Sequence, residues 1–269
     1  TSLPLYLVTK NLFGARAGLA AGFAFSVIPY VNDLASEVVK GPLFILCMTT
    51  SVWLLFKGLQ GHPWRFLPAA GAFSVLATLF RIEGLVYIGI LFLVMLFLLF
   101  VGRDTLKERF TRLAALFVFP GGLFLISLVA FLSGTLSVET LALVWDRFGG
   151  YFSLDFARNY HAIYQSLHGA EYLHSGGQWG NDFFELARKM LPLIYLLGII
   201  SAFSKALFPV LLVPLLFGLS MKQGWDRQRT LLVLVILGYL GMGYLFLLKN
   251  NYLSERYIMV SVVFSLILV

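Results

Sequence analysis

Three clusters of ionisable residues lie between long apolar runs of this chain, and their spacing fits chemistry at a membrane surface. The tightest is "RIEG", in which Arg81 and Glu83 stand between "LATLF" and "LVYI". A charged side chain at the centre of a bilayer costs at least ~2.5–3.5 kcal/mol on insertion scales, so this turn belongs near a headgroup boundary. There the two residues read either as an anchor, with Arg81 snorkelling, Glu83 its partner and Gly84 easing the turn, or as a working pair. In "PYVNDLASEVVKGPLF", Pro29 and Pro42 bracket a short polar segment, and each disfavours helix in the residue before it. Asp33 and Glu37 are spaced i,i+4, so on a helical turn their carboxylates face the same way. That gives either a solvated turn with Lys40 pairing an acid, or an acidic rim above a membrane-embedded pocket. "SERY" poses the same choice: Arg256, followed by Tyr257, is a headgroup anchor or a bidentate holder of phosphate.

The elements that must position these clusters are apolar helices. The chain is 59% hydrophobic and only 12% charged, with a mean hydropathy of +0.88. A soluble domain carries roughly twice that charged fraction. Apolar blocks at about 17–31, 42–56, 66–80, 84–101, 113–133, 191–220, 230–248 and 257–269 approach the ~20 residues that a helix needs to cross a ~30 Å hydrocarbon core. The expected fold is all-α: a polytopic transmembrane helical bundle of about eight spans, with short amphipathic helices in one long extracytoplasmic segment. Residues 1–133 form the first part of the transmembrane core, 134–190 the extracytoplasmic segment and 191–269 the second part of the core. The single cysteine, Cys47, lies in an apolar run and says nothing of compartment. Both ends read as cut within apolar stretches, so the chain is expected to be part of a longer protein.

Alternating the blocks across a bilayer sorts the charges. One side collects eleven basic against three acidic residues, among them Lys10, Arg16, Lys57, Arg65, Arg109 and Arg229; the other collects nine basic against ten acidic. The basic side is expected to be cytoplasmic by the positive-inside rule. This puts Asp33, Glu37 and Lys40, then Arg81 and Glu83, then Arg256 outside a cell's inner membrane, so the chemistry is expected on the extracytoplasmic face. Lys205 divides the block 191–220, which is read as one crossing whose first turns lie at the interface or tilt.

The long segment 134–190 is too polar to span and too aromatic for a disordered linker. Ser153 is placed to cap a helix to about Leu167, and Asp182 followed by Glu185 resembles another helix start. Trp145, Tyr151, Tyr160, Tyr164 and Trp179 read mainly as interfacial packing, with one or two open to a sugar or acceptor. His161, His168 and His174 are spaced seven and six apart, which matches no standard zinc pattern, and no metal ligands are assigned. The charge of +7 is explained by the basic loops and calls for no nucleic acid.

The order "LPLYLVTKNLFGARAGLAAGFAFSVIPY", "SEVVKGPLF", "LATLFRIEGLVYI" and "SERYIMV" resembles integral-membrane glycosyltransferases of the GT-C superfamily, especially bacterial proteins akin to protein O-mannosyltransferases and aminoarabinose transferases. The resemblance implies transfer of a sugar from a polyprenyl-phosphate donor to an acceptor outside the membrane, whether lipid, glycan or protein. It makes Arg81, Glu83, Arg256, Tyr257 and Lys40 the donor-phosphate or substrate-binding candidates. A carboxylate must serve as general base or hold a divalent metal, so a metal cofactor stays open. In the superfamily that acid usually lies in the first outer loop, upstream of Thr1 here; Asp33 and Glu37 are the weaker candidates within the chain. Two other classes stay in play. A transporter or flippase would carry ionisable or helix-breaking residues near mid-span, and a non-catalytic scaffold of an envelope-polysaccharide assembly would keep the fold without a phosphate site.

Overall fold

The computed structural model describes residues 1–29, 31, 41–101, 105–135, 137, 139, 142, 158–173, 178–220, 227–251, 253 and 257–268. Among the described residues the chain is all-α, as a lipid-embedded backbone must be if each helix is to satisfy its own peptide groups. The helices are α1 (Ser2–Phe13), α2 (Ala15–Val27), α3 (Gly41–Gln60), α4 (Pro63–Phe80), α5 (Glu83–Val101), α6 (Leu106–Leu132), α7 (Arg158–Leu173), α8 (Gln178–Leu207), α9 (Leu212–Ser220), α10 (Arg227–Asn250) and α11 (Met259–Ser265). Each apolar block read from the sequence carries a helix. Four stretches are by themselves long and apolar enough to cross a membrane: Gly41–Gln60, Leu106–Leu132, Asp182–Leu207 and Gln228–Asn250. Ala15–Val27 and Glu83–Phe97 are apolar but shorter. The protein is a multi-pass membrane bundle.

Helix α3 is the hub. Its Phe44, Met48, Val52, Leu55 and Phe56 are buried, and it packs along α4 and against α1. The seam with α4 is close enough for Ser51 Oγ to donate to the Ala70 carbonyl at 2.8 Å, and Tyr87 of α5 donates to Ser51 Oγ at 3.2 Å. Three helices are thus joined by two hydrogen bonds in an apolar interior. Helix α6 packs on α4 and turns much of the rest of its surface outward, with Phe119, Phe124, Ile126 and Leu132 exposed, as a lipid-facing helix does. Residues Ile258–Leu268, by contrast, are at most 4% exposed along their whole length. They lie against α10 and α8, and Val260, Val263 and Phe264 share one crevice with Ile45, Met48 and Thr49 of α3.

Contacts at the helix ends sort the bundle into two faces. On one, Gln60 at the end of α3 donates to Gln228 at the start of α10, the Arg229 guanidinium lies 5.8 Å from the Phe13 ring at the end of α1, and Arg109 of α6 donates to the Leu99 carbonyl at the end of α5. Lys10, Arg16, Lys57, Arg65, Arg109 and Arg229 belong to this basic face, in agreement with the alternation read from the sequence. Thr105 starts α6 there with a reciprocal capping box to Glu108. The opposite face carries the Arg81 turn and the ends of α6 and α10.

The second half differs in detail from the sequence reading. Helix α7, described from Arg158, is amphipathic: Tyr160, Ile163, Leu167 and Ala170 turn inward while His161, Gln165 and His168 are exposed. It lies on α8 and α10, where Tyr160 packs 6.0 Å from Tyr195. Ser153, Trp145, Tyr151 and His174 lie outside the described residues. Helix α8 starts at Gln178, so Asp182 is inside the helix and not its cap; the same helix runs past position 190 to Leu207 without a break. Phe208, with φ 68°, interrupts the block after Lys205. The nine residues of α9 rise only ~14 Å, less than half a bilayer core, so the block 191–220 holds one helix of crossing length.

Candidate functional site

The site is built on the turn between α4 and α5. Helix α4 stops at Phe80, and Arg81 takes an extended conformation (φ −147°, ψ 138°) while its N–H still bonds the Ala77 carbonyl at 2.9 Å. The Arg81 carbonyl then accepts from the Gly84 N–H at 2.9 Å, closing the turn, and α5 begins at Glu83. Such a reversal brings the two helices together at the turn, and Gly84 is where they touch. A Cβ there would stand 2.5 Å from Thr78 N and 2.7 Å from Ala77 C, both backbone atoms. Only glycine fits without moving one helix.

The geometry turns the two side chains onto each other. Arg81 Nη2 donates to Glu83 Oε1 at 2.9 Å and Nε to Oε2 at 3.3 Å, a side-on bidentate pair. Both side chains are largely buried, at 21% and 14% exposure, and the Arg81 guanidinium lies 5.8 Å from the centre of the Phe44 ring in the first turn of α3. The charges also suit the helix ends they occupy, a cation at the C-terminus of α4 and an anion at the N-terminus of α5. With Nε and Nη2 turned to Glu83, Nη1 is the guanidinium edge that can meet a ligand.

The first turn of α5 is held from its other side by Tyr239 of α10. This phenol, 3% exposed, donates to the Glu83 main-chain carbonyl at 3.0 Å. Tyr239 stands eleven residues, ~16 Å of helical rise, before the end of α10 at Asn250. The turn therefore stands well short of the end of α10, and α4 is the shorter helix, with 18 residues against 24 in α10.

Of the other residues read from the sequence, Tyr257 is described. Its ring packs on Phe246 with centroids 4.0 Å apart, and among the described residues no described bond or ring contact joins it to Arg81. Asp33, Glu37, Lys40 and Arg256 lie outside the described residues. His161 and His168 share one exposed helix face, and His168 Nδ1 lies 2.5 Å from Arg188 Nη1. No cluster of three His, Cys, Asp or Glu side chains is found among the described residues. The sequence reading passed over Phe44 and Tyr239. Phe44 carries no local signal, but Tyr239 had one: a hydroxyl in an apolar run, next to Gly238.

Residues 1–129 match the family model described as dolichyl-phosphate-mannose-protein mannosyltransferase. The GT-C resemblance holds over this segment. It spans 129 of the 269 residues and includes α1 to α5, most of α6, and the whole Arg81 turn. No curated protein and no solved structure matches the chain. The family match supports a glycosyltransferase of the mannosyltransferase kind, and the Arg81–Glu83 pair lies inside the matched segment.

Proposed function

We propose that the protein transfers a sugar from a polyprenyl-phosphate carrier to an acceptor on the extracytoplasmic side of a cell's inner membrane, with the Arg81 turn receiving the carrier phosphate. The observation that carries this reading is the Arg81–Glu83 pair: a fixed guanidinium, backed by Phe44 and oriented by Glu83, at a helix end within the segment that matches the mannosyltransferase family. A pair held this way presents Nη1 in one orientation and loses little side-chain freedom when a phosphate oxygen binds. The opposite face collects the basic residues expected in the cytoplasm, which supports an extracytoplasmic position for this turn.

In such a transfer the bond between the sugar's anomeric carbon and the phosphate oxygen breaks, and an acceptor hydroxyl oxygen bonds to that carbon. The carrier leaves as a phosphate with one more negative charge, and a cation beside it stabilises the growing charge. The acceptor's proton must pass to a carboxylate. Glu83 is poorly suited to this, because both of its oxygens already accept from Arg81; its role is to hold the guanidinium. Asp33 and Glu37, in the segment leading into α3, remain the candidates within the chain, and Lys40, Arg256 and Tyr257 are further candidates at the phosphate. A divalent metal on a carboxylate stays compatible with the same chemistry.

The test is transfer from a polyprenyl-phosphate-linked mannose by the purified protein in lipid nanodiscs, native and with Arg81→Ala or Arg81→Lys. Loss of the charged hydrogen bond to the phosphate should cut kcat/KM by on the order of 10²-fold in Arg81→Ala, with partial recovery in Arg81→Lys. An Arg81→Ala protein that keeps both its thermal stability and its rate refutes the site.

A further inference from the structure

We infer that Tyr239, outside the family-matched segment, is a positioning residue for the Arg81–Glu83 site; this rests on the reading of that pair as the donor-phosphate site. Its phenol donates to the Glu83 carbonyl at 3.0 Å across 156 residues of sequence. That bond is not needed to satisfy Glu83, because the carbonyl of a first-turn residue already takes part in the helix's own ladder and has a second lone pair to spare. The need lies with the tyrosine: a buried hydroxyl in an apolar bundle must find a partner. A phenylalanine would fill the same space at no such cost. The hydroxyl therefore acts on the one carbonyl whose residue also carries the carboxylate that orients Arg81.

The contact is part of a stiff seam. Beside Tyr239, Gly238 lets α10 approach α5 so closely that a Cβ there would stand 2.9 Å from Ile90 Cδ1. Between Glu83 and Ile90, Tyr87 donates to Ser51 of α3 at 3.2 Å. On its remaining side the turn meets α4 at Gly84. The first turns of α5 are therefore braced against α3, α4 and α10, and among the described residues Tyr239 supplies the one of these holds that ends on Glu83 itself. A small rotation of this turn swings the Glu83 carboxylate off the Arg81 fork and releases the guanidinium from its orientation.

The experiment uses the full chain in nanodiscs and farnesyl phosphate as the probe, with farnesol as the uncharged control. Four proteins are compared: native, Tyr239→Phe, Arg81→Ala and the double variant. Tyr239→Phe should keep the native Tm and the native affinity for farnesol while weakening farnesyl phosphate ~3- to 10-fold, the range of one lost hydrogen bond. Arg81→Ala should weaken the phosphate probe much further, and adding Tyr239→Phe to it should cost nothing more, because both changes act through the same guanidinium. An additive double variant, an unchanged phosphate affinity in Tyr239→Phe, or a fall in Tm with equal losses for both probes overturns the positioning role. If Arg81→Ala itself binds farnesyl phosphate like the native protein, the donor-phosphate reading fails and this inference falls with it.

Discussion

Gly84→Ala probes the contact on which the site's shape depends. The added methyl would stand 2.5 Å from Thr78 N and 2.7 Å from both Ala77 C and Thr78 Cα, against 3.4 Å or more for an ordinary contact. None of these is a side-chain atom that can swing aside, so the ends of α4 and α5 must part by roughly 0.7–0.9 Å. Overpacking of this kind costs about 1–3 kcal/mol. Displacing the first turn of α5 also disturbs the 3.0 Å bond from Tyr239, for a further ~0.5–1.5 kcal/mol. The total of about 2–4 kcal/mol should lower the Tm in detergent by on the order of 10 °C, read by tryptophan fluorescence during heating. Gly89→Ala is the control on the same helix, because a Cβ there meets nothing within 4 Å. It should stabilise the protein by up to ~1 kcal/mol, as alanine does in a helix interior. Transfer should fall in Gly84→Ala and stay native in Gly89→Ala. Equal Tm values for the two variants would refute the close approach of α4 and α5, and with it the account of how Arg81 is aimed.

Three further outcomes follow from described contacts. Ser51→Ala should destabilise the bundle by about 1–3 kcal/mol, because it leaves the buried Tyr87 hydroxyl without an acceptor; Tyr87→Phe should cost less, since Ser51 keeps its bond to Ala70. The reverse order, measured by thermal unfolding, would be inconsistent with the Tyr87–Ser51–Ala70 chain. Glu83→Gln should weaken binding of farnesyl phosphate and lower the Tm, because the amide oxygen can accept only one of the two Arg81 N–H bonds and its NH2 opposes the other; native binding in that variant would mean that Glu83 does not orient the guanidinium. Cysteine labelling reads sidedness directly, because native Cys47 is buried. Thr135→Cys should react with a membrane-impermeant maleimide on intact cells and Arg16→Cys only after permeabilisation, and the opposite pattern would invert the topology.

Composition and apolar block length made the helical bundle legible, since a membrane leaves the chain few other ways to satisfy its backbone. "RIEG" was legible as a pair for the same reason, as charges are costly enough there to need partners. Depth was not legible. How far Arg81 lies from the end of α10 depends on the packing offset between α5 and α10, which no local pattern encodes. Tyr239 escaped notice because its partner is a main-chain carbonyl, an atom that every residue has and no sequence motif marks. The start of α8 was misplaced because Asp182 and Glu185 imitate a capping pair, while the helix already runs four residues before it.

The burial of Ile258–Leu268 bears on how the protein is made. The helices that enclose this stretch, α3, α8 and α10, all precede it in the chain. A ribosome therefore delivers the walls before the centre, and the nascent bundle enters the membrane with an open furrow along α3 where Ile45, Met48 and Thr49 await Val260, Val263 and Phe264. Until those residues arrive, lipid tails or an insertion chaperone must occupy the furrow. Ribosomes stalled before and after this point should expose the difference as a late step in protease resistance, with closure governed by synthesis and not by the earlier insertion of each helix.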